Sequence, residues 1–326
     1  MITVLGLADG GIPVWELVSG PYMANAWTTR RLPPSSKGLW LDSGGFQIMM
    51  KGLSIGVEDL VKRYKIVEAE YYLSLDHPPK PGDEGTPELV RENIELYDQV
   101  RSHVDWGLVI PVVHCYKPEL LAEAIDAYRE RGATILAFGG AVPGLLNKGL
   151  GRVPTVILLA LARKLWKGWL HVLGSGSPVM GAIVSVLGAD SADTATWRGK
   201  AAYGKVILPG AGERYVGGRR IRYGPLYMTR EEEEYLESFL HRTGFPLIDG
   251  GGVREVLSSF RGRALVNAWV LRHATWKPRK GGFAWLYRVA RGVALLSPGE
   301  LVEAYHRVRR DGWRVIHEYI PGSSTG

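Results

Sequence analysis

Cysteine is nearly absent from this chain. Cys115 is the single thiol among 326 residues, which excludes an intramolecular disulfide framework and any zinc site built on clustered thiolates. No apolar run reaches the length of a membrane span, so a membrane partner is not expected. The opening "MITVLGLADG" lacks the basic n-region of a signal peptide, and a cytoplasmic location is the expectation. No H-x-x-x-H or C-x-x-C pair offers metal-ligand spacing. No G-x-G-x-x-G follows the first strand-like run, which weakens a dinucleotide-binding fold. Internal repeats are missing, and low complexity is confined to the tail "PGSSTG".

What is present is apolar and basic. A hydrophobic content of 46% supports one large domain, or a domain with a small appendage. The net charge is +7 and the pI about 9.4, which permits a nucleic-acid partner without demanding one. The charge is concentrated late in the chain. From Arg261 to Arg314, twelve Lys and Arg stand against Glu300, Glu303 and Asp311, a net +9. Trp269, Trp276, Trp285 and Tyr287 are interleaved with them, which favours a phosphate-binding surface over a merely solvated face.

Short apolar runs alternate with amphipathic ones. Strands are expected at 38–42, 71–76, 107–114, 134–140, 168–174 and 186–190, and helices at 57–69, 87–103, 117–132, 154–167 and 177–187. Thr86 with Pro87, and Lys117 with Pro118, read as helix starts. Strands apolar on both faces and separated by helices imply a parallel sheet buried on both sides, and six such units in about 150 residues fit a (β/α)8 TIM barrel. Beyond residue 200 the pattern blurs; 253–260 and 263–274 read as helices, and "GFPLIDGGG" (244–252) as a strand end. The expected division is a barrel core over 1–260 and a basic, aromatic-rich C-terminal segment over 261–326 packed on it.

A barrel of this kind places reacting groups at the carboxyl ends of its strands. Asp42, Asp76 and His114 end the first three runs, Gly139–Gly140 the fourth and Gly174 the fifth, while Asp190 and Asp193 follow the sixth. Each has an ordinary explanation alone, such as a helix cap, a core histidine or a turn. Together they bring carboxylates, a histidine and glycines to one mouth. Carboxylates facing across a cleft suit glycosidic-bond chemistry, one attacking the anomeric carbon and another handling the proton. Glycines let a flat ligand approach the backbone.

"DSGGFQ" (42–47) resembles the signature of tRNA-guanine transglycosylases. "NAW" (25–27), "SLDHPPKPGD" (74–83), "FGGAVP" (138–143) and "LHVLGSGSPVM" with "GADSADTATW" (170–197) are similar to further blocks of the archaeal, archaeosine-type branch, in the same order. The resemblance implies replacement of guanine in a nucleic acid, tRNA or DNA, by a 7-deazaguanine such as 7-cyano-7-deazaguanine. It implies catalytic roles for Asp193 as nucleophile and Asp42 as the carboxylate that holds the base and moves the proton. It further implies base-binding roles for Asp76, Ser43, Gln47, His114, Gly139, Gly140 and Ala141. Arg198, with Lys277, Arg279, Lys280 and Arg288 of the basic segment, are the candidate phosphate contacts.

The chain departs from that family in three places. His114 stands where the family has Gln, which presents its donor and acceptor differently. The family's zinc ligands are lost around "NAWVLRHA" (267–274), so the insertion is expected to be zinc-free and no cofactor is expected. Only a short basic segment stands where archaeal members carry long tRNA-gripping domains, and a related branch of the superfamily acts on DNA. Two alternatives stay open, a non-catalytic nucleic-acid-binding paralogue and a barrel glycosidase, as does pairing into a homodimer.

Overall fold

The computed structural model describes residues 1–7, 11–45, 55–146, 150–217, 226–246, 252–277 and 281–320. Three strands come first: β1 (Ile2–Gly6), β2 (Tyr22–Asn25) and β3 (Leu39–Asp42). Strand and helix then alternate through α1 (Val57–Ile66), β4 (Tyr71–Leu73), α2 (Pro87–His103), β5 (Leu108–Ile110), β6 (Val112–Val113), α3 (Pro118–Glu130) and β7 (Ile135–Phe138). The series continues with α4 (Ala141–Leu145), α5 (Arg152–Leu165), β8 (Trp169–Val172), α6 (Pro178–Val186) and β9 (Ser191–Thr194).

The nine strand segments form one sheet in the order β5-β4-β3-β2-β1-β9-β8-β7-β6, and every pairing within it is parallel. Its two outer members, β5 and β6, are chain neighbours with only Pro111 between them. Proline has no N–H for the ladder, so the run breaks there while its flanks pair to opposite sides. The result is a nearly closed parallel barrel surrounded by helices, compatible with the (β/α)8 type.

The barrel has two cores. Val4, Met23, Trp40, Leu73, Ile110, Val112 and Ala137 fill its inside. Leu5, Tyr72, Phe138, Val172 and Ala192, from the opposite faces of the same strands, pack with Leu121 and Ile183 of the surrounding helices. Each fully buried Leu or Val contributes roughly 1.5–3 kcal/mol. Helix α2 starts as its residues dictate, with Leu89 N–H donating to Thr86 Oγ1 at 3.2 Å and Pro87 in the first turn. Helix α3 also carries Pro in its first turn, but Lys117 makes no side-chain cap.

After β9 come α7 (Thr196–Ala202), the hairpin β10 (Lys205–Leu208) and β11 (Gly212–Tyr215), α8 (Arg230–Arg242), α9 (Gly252–Ser258) and α10 (Phe260–His273). They are followed by α11 (Gly281–Val293), α12 (Pro298–Asp311) and α13 (Ile316–Tyr319). Helix α10 packs on α7 and β10, α11 on α5 and α6, and α12 on α5. Asn267 ties α10 to the hairpin. Its Oδ1 accepts from Ile207 N–H at 2.7 Å, and its Nδ2 donates to the carbonyls of Trp197 and Lys205 at 3.1 and 3.2 Å. In "NAWVLRHA" itself, Trp269 stacks on His273 at 4.2 Å and donates to Thr243 Oγ1 at 2.8 Å. Among the described residues no three His, Cys, Asp or Glu side chains are grouped as a metal requires, and no helix is long and apolar enough to cross a membrane.

Several expected boundaries are corrected. Strands β1 and β2 are absent from the expected strands, and no α-helix among the described residues follows either of them. The strand expected at 186–190 is not there; residues 178–186 are helical and the strand is 191–194. The expected strand 107–114 is split at Pro111. The hairpin β10–β11 falls in the stretch where the periodicity blurs. Residues 247–251 of the expected strand end at 244–252 lie outside the described residues. The late tryptophans are packing residues first: Trp269 is buried, and Trp276, Trp285 and Tyr287 are partly buried against the core.

Candidate active site at the barrel mouth

Residues two apart on a strand share a face. Trp40 points into the barrel, so Asp42 does too, one step nearer the carboxyl end. The register sets Asn25 of β2 directly beside Asp42 of β3. Asn25 Oδ1 accepts from Trp27 N–H at 3.0 Å and Thr28 N–H at 3.1 Å. That turn fixes the amide orientation, so Nδ2 is the atom presented to Asp42 Oδ2, at 3.2 Å. Burial pushes the Asp42 carboxyl up to about 6, and the nearby charges of Asp76 and Asp193 push the same way. Hydrogen bonds from Gly44 N–H and Asn25 oppose the shift. Among the described residues, no Lys or Arg pairs with any of the three carboxylates.

Ser43 is buried and its hydroxyl lies 3.4 Å from Asp76 Oδ1. Its carbonyl accepts from Trp27 Nε1 at 2.7 Å. The turn beyond requires glycine. Gly44 has φ +77, and a Cβ there would lie 2.9 Å from the Trp27 ring. A Cβ on Gly45 would lie 2.9 Å from the Asp76 carbonyl. The "DSGG" stretch therefore packs directly on the Asp76 segment. Gln47 lies outside the described residues.

Asp76 is buried at 8% exposure, and His114 at 3%. His114 Nε2 is 3.0 Å from Asp76 Oδ2, an ion-pair distance. That contact does not have hydrogen-bond geometry, and among the described residues neither ring nitrogen of His114 has a hydrogen-bond partner. Buried polar atoms normally find partners, so this ring holds unused donor and acceptor capacity. Gly139 makes room for it, since a Cβ there would lie 2.7 Å from His114 Nδ1. Gly140 has φ +76 and leads into α4, whose first residue, Ala141, is fully buried. Cys115, next to His114, is an inert neighbour: burial pushes its thiol up to about 12.

Asp193 lies on β9 opposite Val4 of β1. Its Oδ1 accepts from Gly174 N–H at 2.6 Å and is 3.3 Å from His171 Nε2. His171 is fully buried, and its Nδ1 is 2.8 Å from Ser191 Oγ. The sequence marked Gly174 only as a strand end, and Asn25 and His171 only as members of the "NAW" and "LHVLGSGSPVM" blocks, with no role given to either. His171 was findable as a lone histidine inside an otherwise apolar strand.

Asp190 belongs elsewhere. It precedes β9, at the amino end of the barrel, where its Oδ2 accepts from Leu170 N–H at 2.8 Å and Arg163 Nη1 at 3.0 Å. It cannot share the mouth with Asp193.

Arg198 is half-buried on α7, with its guanidinium 5.7 Å from the Phe260 ring centroid and Nε without a hydrogen bond among the described residues. Lys277 and Arg288 are exposed. Arg279 and Lys280 lie outside the described residues.

No model of a known protein family matches the chain. It is 33% identical over 240 residues to "Uncharacterized protein 306" of Sulfolobus islandicus rod-shaped virus 1, an alignment that covers 73% of this chain and 71% of the viral protein.

Proposed function

The chain belongs to the family of protein 306 of that rod-shaped virus, and we propose, from the chemistry of the mouth and the motif resemblance, that it is a nucleic-acid guanine transglycosylase. The observation that carries the reading is the meeting of Asp42, Asp76 and Asp193 at one barrel mouth, close enough for the latter two to raise the proton affinity of the first. The nine strand segments become eight when β5 and β6 are counted as one strand kinked at Pro111, in keeping with a (β/α)8 enzyme whose mouth is its active site.

Among the described residues both hydrogen bonds to the Asp193 carboxylate fall on Oδ1, which leaves Oδ2 as the attacking oxygen. It bonds to C1′ of the target nucleotide as the C1′–N9 bond breaks, and the electron pair of that bond leaves with guanine. Asp42, held near 6, is populated in both protonation states around neutrality, as a group that gives a proton and then takes one must be. Protonated, it supplies the departing base; ionised, it accepts the proton of an incoming 7-deazaguanine, whose N9 attacks C1′ and releases Asp193. The phosphodiester backbone stays intact because the sugar is tethered to Asp193 between the two steps. Asp76, Ser43 and His114 offer a carboxylate, a hydroxyl and unused ring nitrogens to the polar edge of the base, with Gly139, Gly140 and Ala141 beside them. The target base must leave its stack to reach them.

The test is incubation with radiolabelled guanine and either tRNA or duplex DNA. Label entering one polymer, together with a protein–nucleic acid adduct that survives denaturation, is the expected result, and the labelled polymer names the substrate. No label in either polymer and no adduct would overturn the reading.

A further inference from the structure

We propose that His171 is the positioning residue of Asp193, and that Ser191 places the imidazole proton on the nitrogen that faces the carboxylate. The assignment rests on the exchange reading above and adds to it how the nucleophile is held.

His171 lies inside the barrel with no exposed surface, stacked on Trp40 at 4.6 Å between ring centroids. A buried imidazole needs a partner for each nitrogen, and here both partners come from the neighbouring strand, where Ser191 is its register mate. Nδ1 is 2.8 Å from Ser191 Oγ, and Nε2 is 3.3 Å from Asp193 Oδ1. The carboxylate facing Nε2 favours the proton there, and a third residue agrees with that tautomer. Trp169 Nε1 is 2.8 Å from the same Ser191 Oγ, and an indole N–H can only donate. Ser191 therefore accepts from Trp169 and has its own hydroxyl proton to give to His171 Nδ1. With Nδ1 accepting, the neutral ring carries its proton on Nε2, where it meets a carboxylate oxygen. The opposite tautomer would set a nitrogen lone pair against that oxygen.

Asp193 Oδ1 thus receives two N–H donors, one from His171 and one from the Gly174 backbone at 2.6 Å. Two donors on one oxygen fix the rotation of the carboxylate and leave the other oxygen for C1′. The chain of contacts runs up the barrel interior, from Trp169 at the start of β8 to the nucleophile near the end of β9.

The experiment compares the single-turnover rate of adduct formation in wild type, His171→Leu, His171→Gln and Ser191→Ala. Nucleic-acid affinity and a thermal melt are measured on each. His171→Leu should slow adduct formation about 10²-fold, the scale of a misplaced reacting group, with affinity unchanged. His171→Gln, whose side-chain amide can donate toward Oδ1, should recover most of that loss. Ser191→Ala, which frees the tautomer without altering the ring, should slow the step about tenfold. A wild-type rate in Ser191→Ala or in folded His171→Leu overturns the assignment. So does a loss in His171→Gln as deep as in His171→Leu, which would make His171 a packing residue only. Should His171→Leu fail to fold, the Ser191→Ala rate decides. A wild-type protein that forms no adduct overturns the exchange reading instead, and this assignment with it.

Discussion

Asp190 and Asp193 stand three positions apart at opposite ends of the run around β9, and the barrel uses them in opposite ways. Asp190, at the amino end, is bound by an arginine and a backbone N–H. Asp193, at the carboxyl end, has a histidine and a backbone N–H on one oxygen and two further carboxylates across the mouth. At the amino end the charge is neutralised and the strand ends of the fold are tied. At the carboxyl end like charges are gathered with no Lys or Arg pairing them among the described residues, an arrangement that costs stability and suits proton transfer. The difference separates an aspartate that ties the fold from those proposed to react, without reference to residue type.

The strongest way to break the comparison is to exchange the carboxylates one at a time. Asp193→Asn should abolish the covalent adduct and lower exchange by at least about 10³-fold while leaving nucleic-acid binding intact. Adduct trapping on denaturing gels reads this directly, and near-normal turnover would remove Asp193 from its role. Asp42→Asn should lower exchange by roughly 10²–10⁴-fold, through lost proton handling.

Asp42 also makes a prediction about stability that does not depend on activity. Its folded pKa is raised, to about 6. At acid pH it is protonated in both folded and unfolded chains and contributes no difference. As pH rises from the ordinary carboxylate range to about 6, the unfolded chain ionises first, so stability is lost across that window and the full penalty stands above it. Asp42→Asn should therefore be more stable than wild type at about pH 7.5, by at most about 3 kcal/mol, with the gain gone near pH 3. Urea unfolding at the two pH values measures it; a pH-independent difference would show that Asp42 carries no such penalty.

Asp190→Ala should do the reverse of Asp193→Asn. It leaves Leu170 N–H and Arg163 without their acceptor, and should cost about 1–3 kcal/mol in unfolding free energy with exchange per folded molecule unchanged. An exchange defect in this variant would erase the distinction between the two ends. The smallest effect concerns the basic surface. Replacing exposed Lys277 and Arg288 by Ala should flatten the log–log salt dependence of duplex DNA binding by about 0.9 for each side chain that touches a phosphate. A curve that overlays wild type would take both off the interface and leave the mouth loops to hold the polymer.

Much of this molecule was legible in its residues. The apolar runs at 38–42, 134–140 and 168–174 are strands within one to two residues at each end, because a strand buried on both faces leaves a continuous hydrophobic signal. Helix α2 spans 87–103 as expected, since its cap and its proline are local devices. Strands β1 and β2 escaped notice because no α-helix among the described residues follows them, so the alternation that reveals βα units is missing. The strand assigned to 186–190 slid to 191–194 because "VSVLG" is as apolar as a strand while serving as the end of a packed helix.

Composition and pattern alone determined that the chain builds a parallel, doubly covered sheet, and that Asp42, Asp76 and His114 fall at strand ends. These are matters of local periodicity and polarity, which each segment carries in itself. The tertiary structure alone decided which of those ends face one another. The pairing of Asn25 with Asp42, the close approach of Gly139 to His114, the support of Asp193 by His171 and Ser191, and the removal of Asp190 to the far end all depend on strand register. Because side chains alternate faces with a period of two, a shift of one residue in register moves every one of them to the other side of the sheet, and register is set by pairing between segments, most of them distant in the chain.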